Sequence, residues 1–290
     1  MKESVMKYIS ALYILLLLTG CGSSSQPETD PSLREGLIDQ NTLPITQGSW
    51  YRPSLDTSWQ WQLSGTLNTS YAVELFDIDL FDTVQVVIDS LHAQGKKVIC
   101  YFSAGSYENW REDKDSFDSS LLGNNLDGWN GEKWLNISSP LLRPIMRGRL
   151  DLAVAKGCDG VEPDNVDGYT NNTGFALSAR DHLSYNKFLA NEAHRRGLSV
   201  GLKNDIDQIY ELEPYFDFAV NEQCHQYNEC NTLTPFITKA KPVFNAEYKA
   251  AYVNNTNSKS DIMCSQAAAL QFQTLVLPLN LDDTFRIECN

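Results

Sequence analysis

The feature that most limits the folds open to this chain is an alternation. Short apolar runs with strand character recur from Trp59 to Leu277, and amphipathic stretches fall between several of them. The runs are 59–63, 72–78, 97–103, 160–162, 198–203, 216–220, 242–246 and 270–277. Helical spacing occupies 82–94, where Val84, Val87, Ile88 and Leu91 share a face, and also 140–156 and 178–196, the last closed by Gly197. Strands separated by helices pair in parallel through right-handed crossovers. Eight of them over about 230 residues predict an α/β chain folded as a single-domain (β/α)8 TIM barrel. A doubly wound open sheet is the alternative, but the sequence has neither G-x-G-x-x-G nor a P-loop to open one.

A barrel of this kind keeps its chemistry at the carboxyl ends of its strands. The residues that close the successive runs are Asp77 and Asp79; Tyr101 and Ser103; Glu162, Asp164, Asn165 and Asp167; Lys203, Asn204 and Asp205; Asn221, Glu222 and Gln223; and Asn245, Glu247 and Tyr248. Many carboxylates and one nearby lysine would therefore converge on one mouth. Paired carboxylates on facing strands are what glycoside hydrolysis requires, one to attack or steady the cationic sugar and one to protonate the leaving oxygen. Like charges held close together raise one pKa and keep an acid protonated near neutral pH. Trp59, Trp61, Tyr101 and Tyr248 would add aromatic platforms for sugar faces. A carboxylate cluster also suits Ca²⁺ or Mg²⁺, but no D-x-[DN]-x-[DN]-G loop is present and Asp164–Gly168 is only a partial echo of one. The four histidines show no ligand spacing with the cysteines, and the cysteines form no C-x-x-C. Neither a metal nor another cofactor is expected.

Taken in order, WQWQLSG (59–65), ELFDID (74–79), VICYFSAGSYENWR (98–111), GCDGVEPDNVDGY (157–169), GLKND (201–205), AVNEQC (219–224) and NAEY (245–248) resemble glycoside hydrolase family 114. These are the endo-α-1,4-polygalactosaminidase-like TIM barrels, a broad group that also takes in an exopolysaccharide-processing hydrolase domain. The resemblance implies cleavage inside polymers of α-1,4-linked galactosamine, with Asp164 as nucleophile and Glu222 as acid/base in a retaining reaction. It further implies supporting or substrate-binding roles for Asp77, Asp79, Tyr101, Lys203, Asn204 and Glu247, to which their place at the mouth adds Tyr248 and Trp59. Glu162 is the natural competitor for a catalytic role and is expected to face away from Asp164 by strand alternation. A barrel that binds amino-sugar polymer without cutting it, and an α-glycosidase of other specificity, are the alternative readings.

Charge and the N-terminus say where such a protein would work. With 37 acidic against 23 basic residues the net charge is −14, which disfavours nucleic acid as a partner and suits a cationic polymer. Lys2 and Lys7 accompany an apolar run over 8–19, and Leu18-Thr19-Gly20-Cys21 resembles the bacterial lipoprotein signal in which the cysteine is lipidated. Residues 1–20 are thus expected to be a signal peptide, 21–48 a flexible tether and 49–290 the hydrolase domain. The product would be an exported monomer held at the outer membrane or cell surface through Cys21. Export suits disulfides among the other six cysteines. Cys224 with Cys230 would close a short loop and Cys264 with Cys289 would pin the C-terminus, while Cys100 and Cys158 are bridged or buried thiols. The four sequons, at Asn68, Asn136, Asn171 and Asn254, read as chance in a bacterial protein.

Overall fold

Twelve strands are found among the described residues: β1 (Trp59–Gln62), β2 (Leu75–Asp79), β3 (Lys97–Ser103), β4 (Ser106–Glu108), β5 (Leu122–Asn125), β6 (Glu132–Leu135), β7 (Gly160–Asp164), β8 (Ser199–Lys203), β9 (Phe218–Glu222), β10 (Val243–Glu247), β11 (Gln273–Val276) and β12 (Ile287–Glu288). The computed structural model describes residues 41–289, so the expected signal peptide, Cys21 and residues 21–40 of the tether lie outside the described residues. Eight strands pair in parallel in the order β1-β2-β3-β7-β8-β9-β10-β11 and curl into a barrel, with β12 antiparallel on β11. The ladder is not continuous from β11 back to β1. Side chains and the C-terminal segment bridge that seam: Trp59 Nε1 donates to Gln273 O (3.0 Å), Arg286 Nη2 to Trp59 O (3.1 Å), and the Leu63 amide to Leu281 O (3.0 Å).

The strands read as apolar runs because both faces are covered. Their outer faces meet four long helices, α1 (Gln85–Ala93), α2 (Leu142–Lys156), α3 (Ala179–Arg195) and α4 (Lys259–Leu270). Ser178 starts α3 with a capping box, accepting from the Asp181 amide at 3.2 Å while Asp181 accepts from the Ser178 amide at 2.8 Å. The inner face holds Trp59, Trp61, Leu75, Ile99, Phe218, Val220, Phe244 and Leu275. Gly201 has no room for a side chain there, since a Cβ would stand 2.4 Å from the Phe218 ring.

Three disulfides join Cys100–Cys158, Cys224–Cys230 and Cys264–Cys289. The first ties β3 to the entry of β7, the second closes the loop after β9, and the third holds β12 to α4. The predicted strands all form, most of them shifted by one to three residues. Two features depart from expectation. Residues 42–45 are docked rather than loose, with Tyr215 bonded to Thr42 O (2.7 Å) and Asn191 bridging Leu43 O and the Ile45 amide. The packed domain thus begins before residue 49. The connection from β3 to β7 also carries its own antiparallel sheet, in the order β4-β6-β5, which leans over the barrel mouth.

Candidate active site

A cleft of about 260 Å³ opens at the carboxyl ends of β3, β7, β8 and β9, lined among others by Trp61, Tyr101, Asp164, Asp167, Lys203, Asn204, Glu222 and Tyr248. One buried cation organises it. Lys203 Nζ lies 3.1 Å from Asp164 Oδ1, 3.4 Å from Glu222 Oε2 and 3.2 Å from Glu162 Oε1, with its charge 4.8 Å from the centre of the Trp61 ring. Burial alone would lower the lysine pKa; the three carboxylates outweigh it and raise it well above the usual value.

Asp164 ends β7 and accepts from the Tyr101 hydroxyl (3.1 Å) and the Asn165 amide (2.6 Å). Its own carbonyl receives the Ala104 and Gly105 amides, at 2.8 and 3.0 Å. A Cβ on Gly105 would sit 1.7 Å from Asn165 O, so this close approach requires glycine. Glu222 ends β9 and accepts from the Tyr248 hydroxyl and from Asn204 Nδ2 (3.4 Å), while its amide donates to Asn204 Oδ1 (2.9 Å). Burial, then the neighbouring Asp164 or Glu222, lifts both tyrosine pKa values far above normal, so each hydroxyl stays a donor. The residue after each strand turns left-handed: Asn165 (φ 60°), Asn204 (φ 48°) and Gln223 (φ 65°). Such backbone carries local strain and swings the chain away directly after the functional side chain.

The other predicted site residues separate into two groups. Tyr101, Lys203, Asn204 and Tyr248 line the cleft with Asp164 and Glu222. Asp77, Asp79, Glu247 and Trp59 do not. Trp59 is 1% exposed and packs on Trp61 and Phe244 in the barrel interior; strand rise puts it a full layer below Trp61, which takes the place at the mouth. Asp79 is held in a two-bond ion pair by Arg111 (2.9 and 2.6 Å) and caps the turn at Phe81 and Asp82. Glu247 is buried and accepts from the His225 amide (2.8 Å), with burial raising its pKa to about 7. Asp77 lies beneath the cleft against Glu162. Glu162 itself faces the barrel interior alongside Asp164, because alternation repeats every two residues and the two share a side.

Glu132 and Asp167 complete the acidic lining, and Leu126, Trp129 and Leu279 form an apolar rim. Glu132 comes from β6 and accepts from Ser106 Oγ (2.6 Å); burial raises its pKa to about 7. Burial and then Asp164 raise that of Asp167 to about 6. The sequence signal for this wall is local: Asp127-Gly128 and Asn130-Gly131 are turn dipeptides ahead of Glu132. A second cavity, near Cys224, His225 and Cys230, has a similar volume of about 280 Å³ but no carboxylate in its lining. Its two sulfurs are bonded to each other and so are not free as metal ligands.

The profile of glycoside hydrolase family GH114 matches residues 40–290. The chain belongs to that family. It is a glycoside hydrolase on a TIM-barrel fold. It is similar to Aspergillus fumigatus Ega3, crystallised with galactosamine, at 47% identity and a TM-score of 0.79, over 84% of this chain and 99% of that one. The glycoside hydrolase domain of PelA from Pseudomonas aeruginosa shares the fold at 12% identity and a TM-score of 0.61, over 78% of this chain and 96% of that one. An uncharacterized protein of Deinococcus radiodurans is 30% identical over 172 residues, which is 53% of this chain and only 55% of that relative's length.

Proposed function

We propose that this hydrolase cuts inside α-1,4-linked galactosamine polymers with retention, using Asp164 as nucleophile and Glu222 as acid/base. The observation that carries the reading is the shared ammonium. Asp164 and Glu222 each touch Lys203 Nζ, at 3.1 and 3.4 Å, which caps the separation of those two oxygens. By adding the two contacts they lie at most about 6.5 Å apart; retaining enzymes hold their carboxyls near 5 Å and inverting ones farther. The substrate class draws on the similarity to Ega3, whose crystals hold galactosamine.

In the first step an Asp164 oxygen bonds to the anomeric carbon as the glycosidic C–O bond breaks, and Glu222 gives its proton to the departing oxygen. In the second a water oxygen attacks the anomeric carbon, Glu222 takes the water proton, and Asp164 leaves as a carboxylate. Reducing ends released from a galactosaminogalactan test this. Asp164→Asn and Glu222→Gln should each lower kcat by at least about a thousandfold with folding intact. Wild-type binding without cleavage would overturn it in favour of a polymer-binding barrel.

The acidic lining favours deacetylated stretches. Lys203 engages Asp164, Glu162 and Glu222, whereas Glu132 and Asp167 have no ion-pair partner among the described residues and remain for sugar ammonium groups. Matched polymers of rising acetylation should be cut progressively more slowly, an effect weakened by salt. Equal cleavage of fully acetylated polymer would refute the preference. Export with a lipid on Cys21 is the matching location: the lipoprotein-like signal and three cystines support it. Loss of membrane association in Cys21→Ser is the test.

A further inference from the structure

The chain that leaves β11 runs back across the barrel seam and along one rim of the cleft. Leu279 and Leu281 line the cleft there, together with Leu63. Leu281 is buried in the inner barrel cluster, whereas Leu279 stands exposed at the rim. Leu281 (φ 48°) and Asp283 (φ 60°) both hold left-handed backbone. A bulky side chain avoids that region, and such backbone persists only where its surroundings fix it. The fixing bonds are present. Leu281 O accepts from the Leu63 and Ser64 amides (3.0 and 3.2 Å), the Leu281 amide donates to Pro278 O (2.9 Å), and Ser64 Oγ donates to Asn280 O (2.8 Å). One carboxylate gathers three more. Asp283 Oδ1 accepts from Gln60 Nε2 (3.1 Å) and the Tyr71 hydroxyl (2.8 Å), and Oδ2 accepts from Asn68 Nδ2 (2.8 Å). These donors come from β1, from the loop after it and from the approach to β2, so Asp283 ties the segment to three points across the seam.

We propose that Asp283 is a positioning residue for substrate: its clasp holds Leu279 and Leu281 as a fixed apolar wall of the cleft, against which the C–H face of a sugar ring lies. The proposal rests on the reading that the polymer binds in this cleft. It does not rest on the amino group, because ring C–H groups are common to pyranosides. The cleft residues at the seam, Trp61, Leu63, Leu279 and Leu281, carry no charge, while the carboxylates and Lys203 stand on β7, β8 and β9. Burial of C–H surface has no preferred direction, so such a wall holds the polymer without taking part in the chemical step. A loose wall would have to be ordered at each binding event; a clasped one is ordered beforehand. Farther along, Arg286 Nη2 donates to Trp59 O (3.1 Å) and Cys289 is bridged to Cys264. Asp283 lies between these anchors and the wall, two residues from Leu281.

The clasp is read without substrate. In Asp283→Ala the Leu63 and Ser64 amides, which donate to Leu281 O, should exchange hydrogen at least about tenfold faster than in wild type. Unchanged exchange overturns the clasp. With polymer, the same variant should raise KM at least about fivefold and leave kcat within about twofold, the signature of lost uniform binding. Leu281→Ala should do the same. If Asp283 acts through the wall, the double variant raises KM by no more than about twofold beyond the larger single effect. Effects that multiply in full overturn the positioning role, as does a fall in Tm with KM unmoved. Asp283→Asn keeps an Oδ1 acceptor for Gln60 and Tyr71 and should bring KM back toward the wild-type value. Tyr71→Phe removes one donor but keeps the ring 4.9 Å from the Arg286 guanidinium. It should show the same split at smaller amplitude, and it takes the place of Asp283→Ala if that variant does not fold. Failure of wild type to cut galactosamine polymer would sink the substrate reading and leave the exchange result standing; the same KM series on the glycan that it does cut then decides the wall.

Discussion

Two buried ionic clusters lie side by side under the barrel mouth, and they are built to opposite ends. Around Arg111 and Arg149 the charges meet in forked pairs. Arg111 bonds Asp79 through two nitrogens and reaches Glu108 at 2.7 Å, while Arg149 takes Asp113 through Nε (2.8 Å) and Nη2 (3.0 Å). Planar guanidinium forks match planar carboxylates, the arrangement in which a buried ion pair holds its shape, although Arg111 Nε and Glu108 Oε2 find no hydrogen-bond partner among the described residues. Around Lys203 one point charge serves three carboxylates, none of which it can chelate. Oxygens there remain open to the cleft. The first cluster locks the β4–β6 sheet to the barrel. The second gathers carboxylates around one cation at the edge of a cleft, the arrangement a proton-transferring site needs.

The sharpest break of this contrast is removal of each cation. Lys203→Met and Arg111→Met should both cost about 3–5 kcal/mol of stability by denaturant titration, since each strands buried carboxylates. Only Lys203→Met should also change the pH–rate profile; if Arg111→Met moves it equally, the two clusters are not distinct. Trp59→Ala should cost a comparable 3–5 kcal/mol, roughly the price of emptying a core indole site. Gly105→Ala follows at about 2 kcal/mol, because a Cβ there meets the Asn165 carbonyl and displaces the turn that clamps Asp164. The smallest effect on stability belongs to Trp129→Ala. Trp129 is 49% exposed on the cleft rim, so the fold should change by less than about 0.5 kcal/mol while KM rises several-fold in steady-state assays. A Tm drop in Trp129→Ala matching that of Trp59→Ala would erase the distinction between rim and core.

Much of this organisation was readable because parallel strands covered on both faces must be apolar runs, and because polar residues at their ends have few other reasons to be there. β3 is the clearest case, with 97–103 both expected and found. The distribution of depth along each strand was not readable. Trp59 and Trp61 look equivalent in sequence and are equally buried, and only the stacking of layers inside the barrel puts Trp61 against the cleft and Trp59 below it. Asp79 looks as eligible as Asp164 until Arg111, 32 residues onward, folds back upon it. Glu162 differs from expectation for another reason: strand alternation has period two, so residues two apart such as Glu162 and Asp164 share a side. Glu132 is not legible in the sequence because its hairpin lies within a long polar connection that has no apolar period to follow.

The left-handed residues behind Asp164, Lys203 and Glu222 bear on engineering. Asn165, Asn204 and Gln223 turn the backbone where most amino acids resist turning. Grafting the three reactive side chains onto another barrel would reproduce the letters of the site without its aim. A graft that also carries each following residue, or a glycine in its place, would transplant the direction in which those groups point.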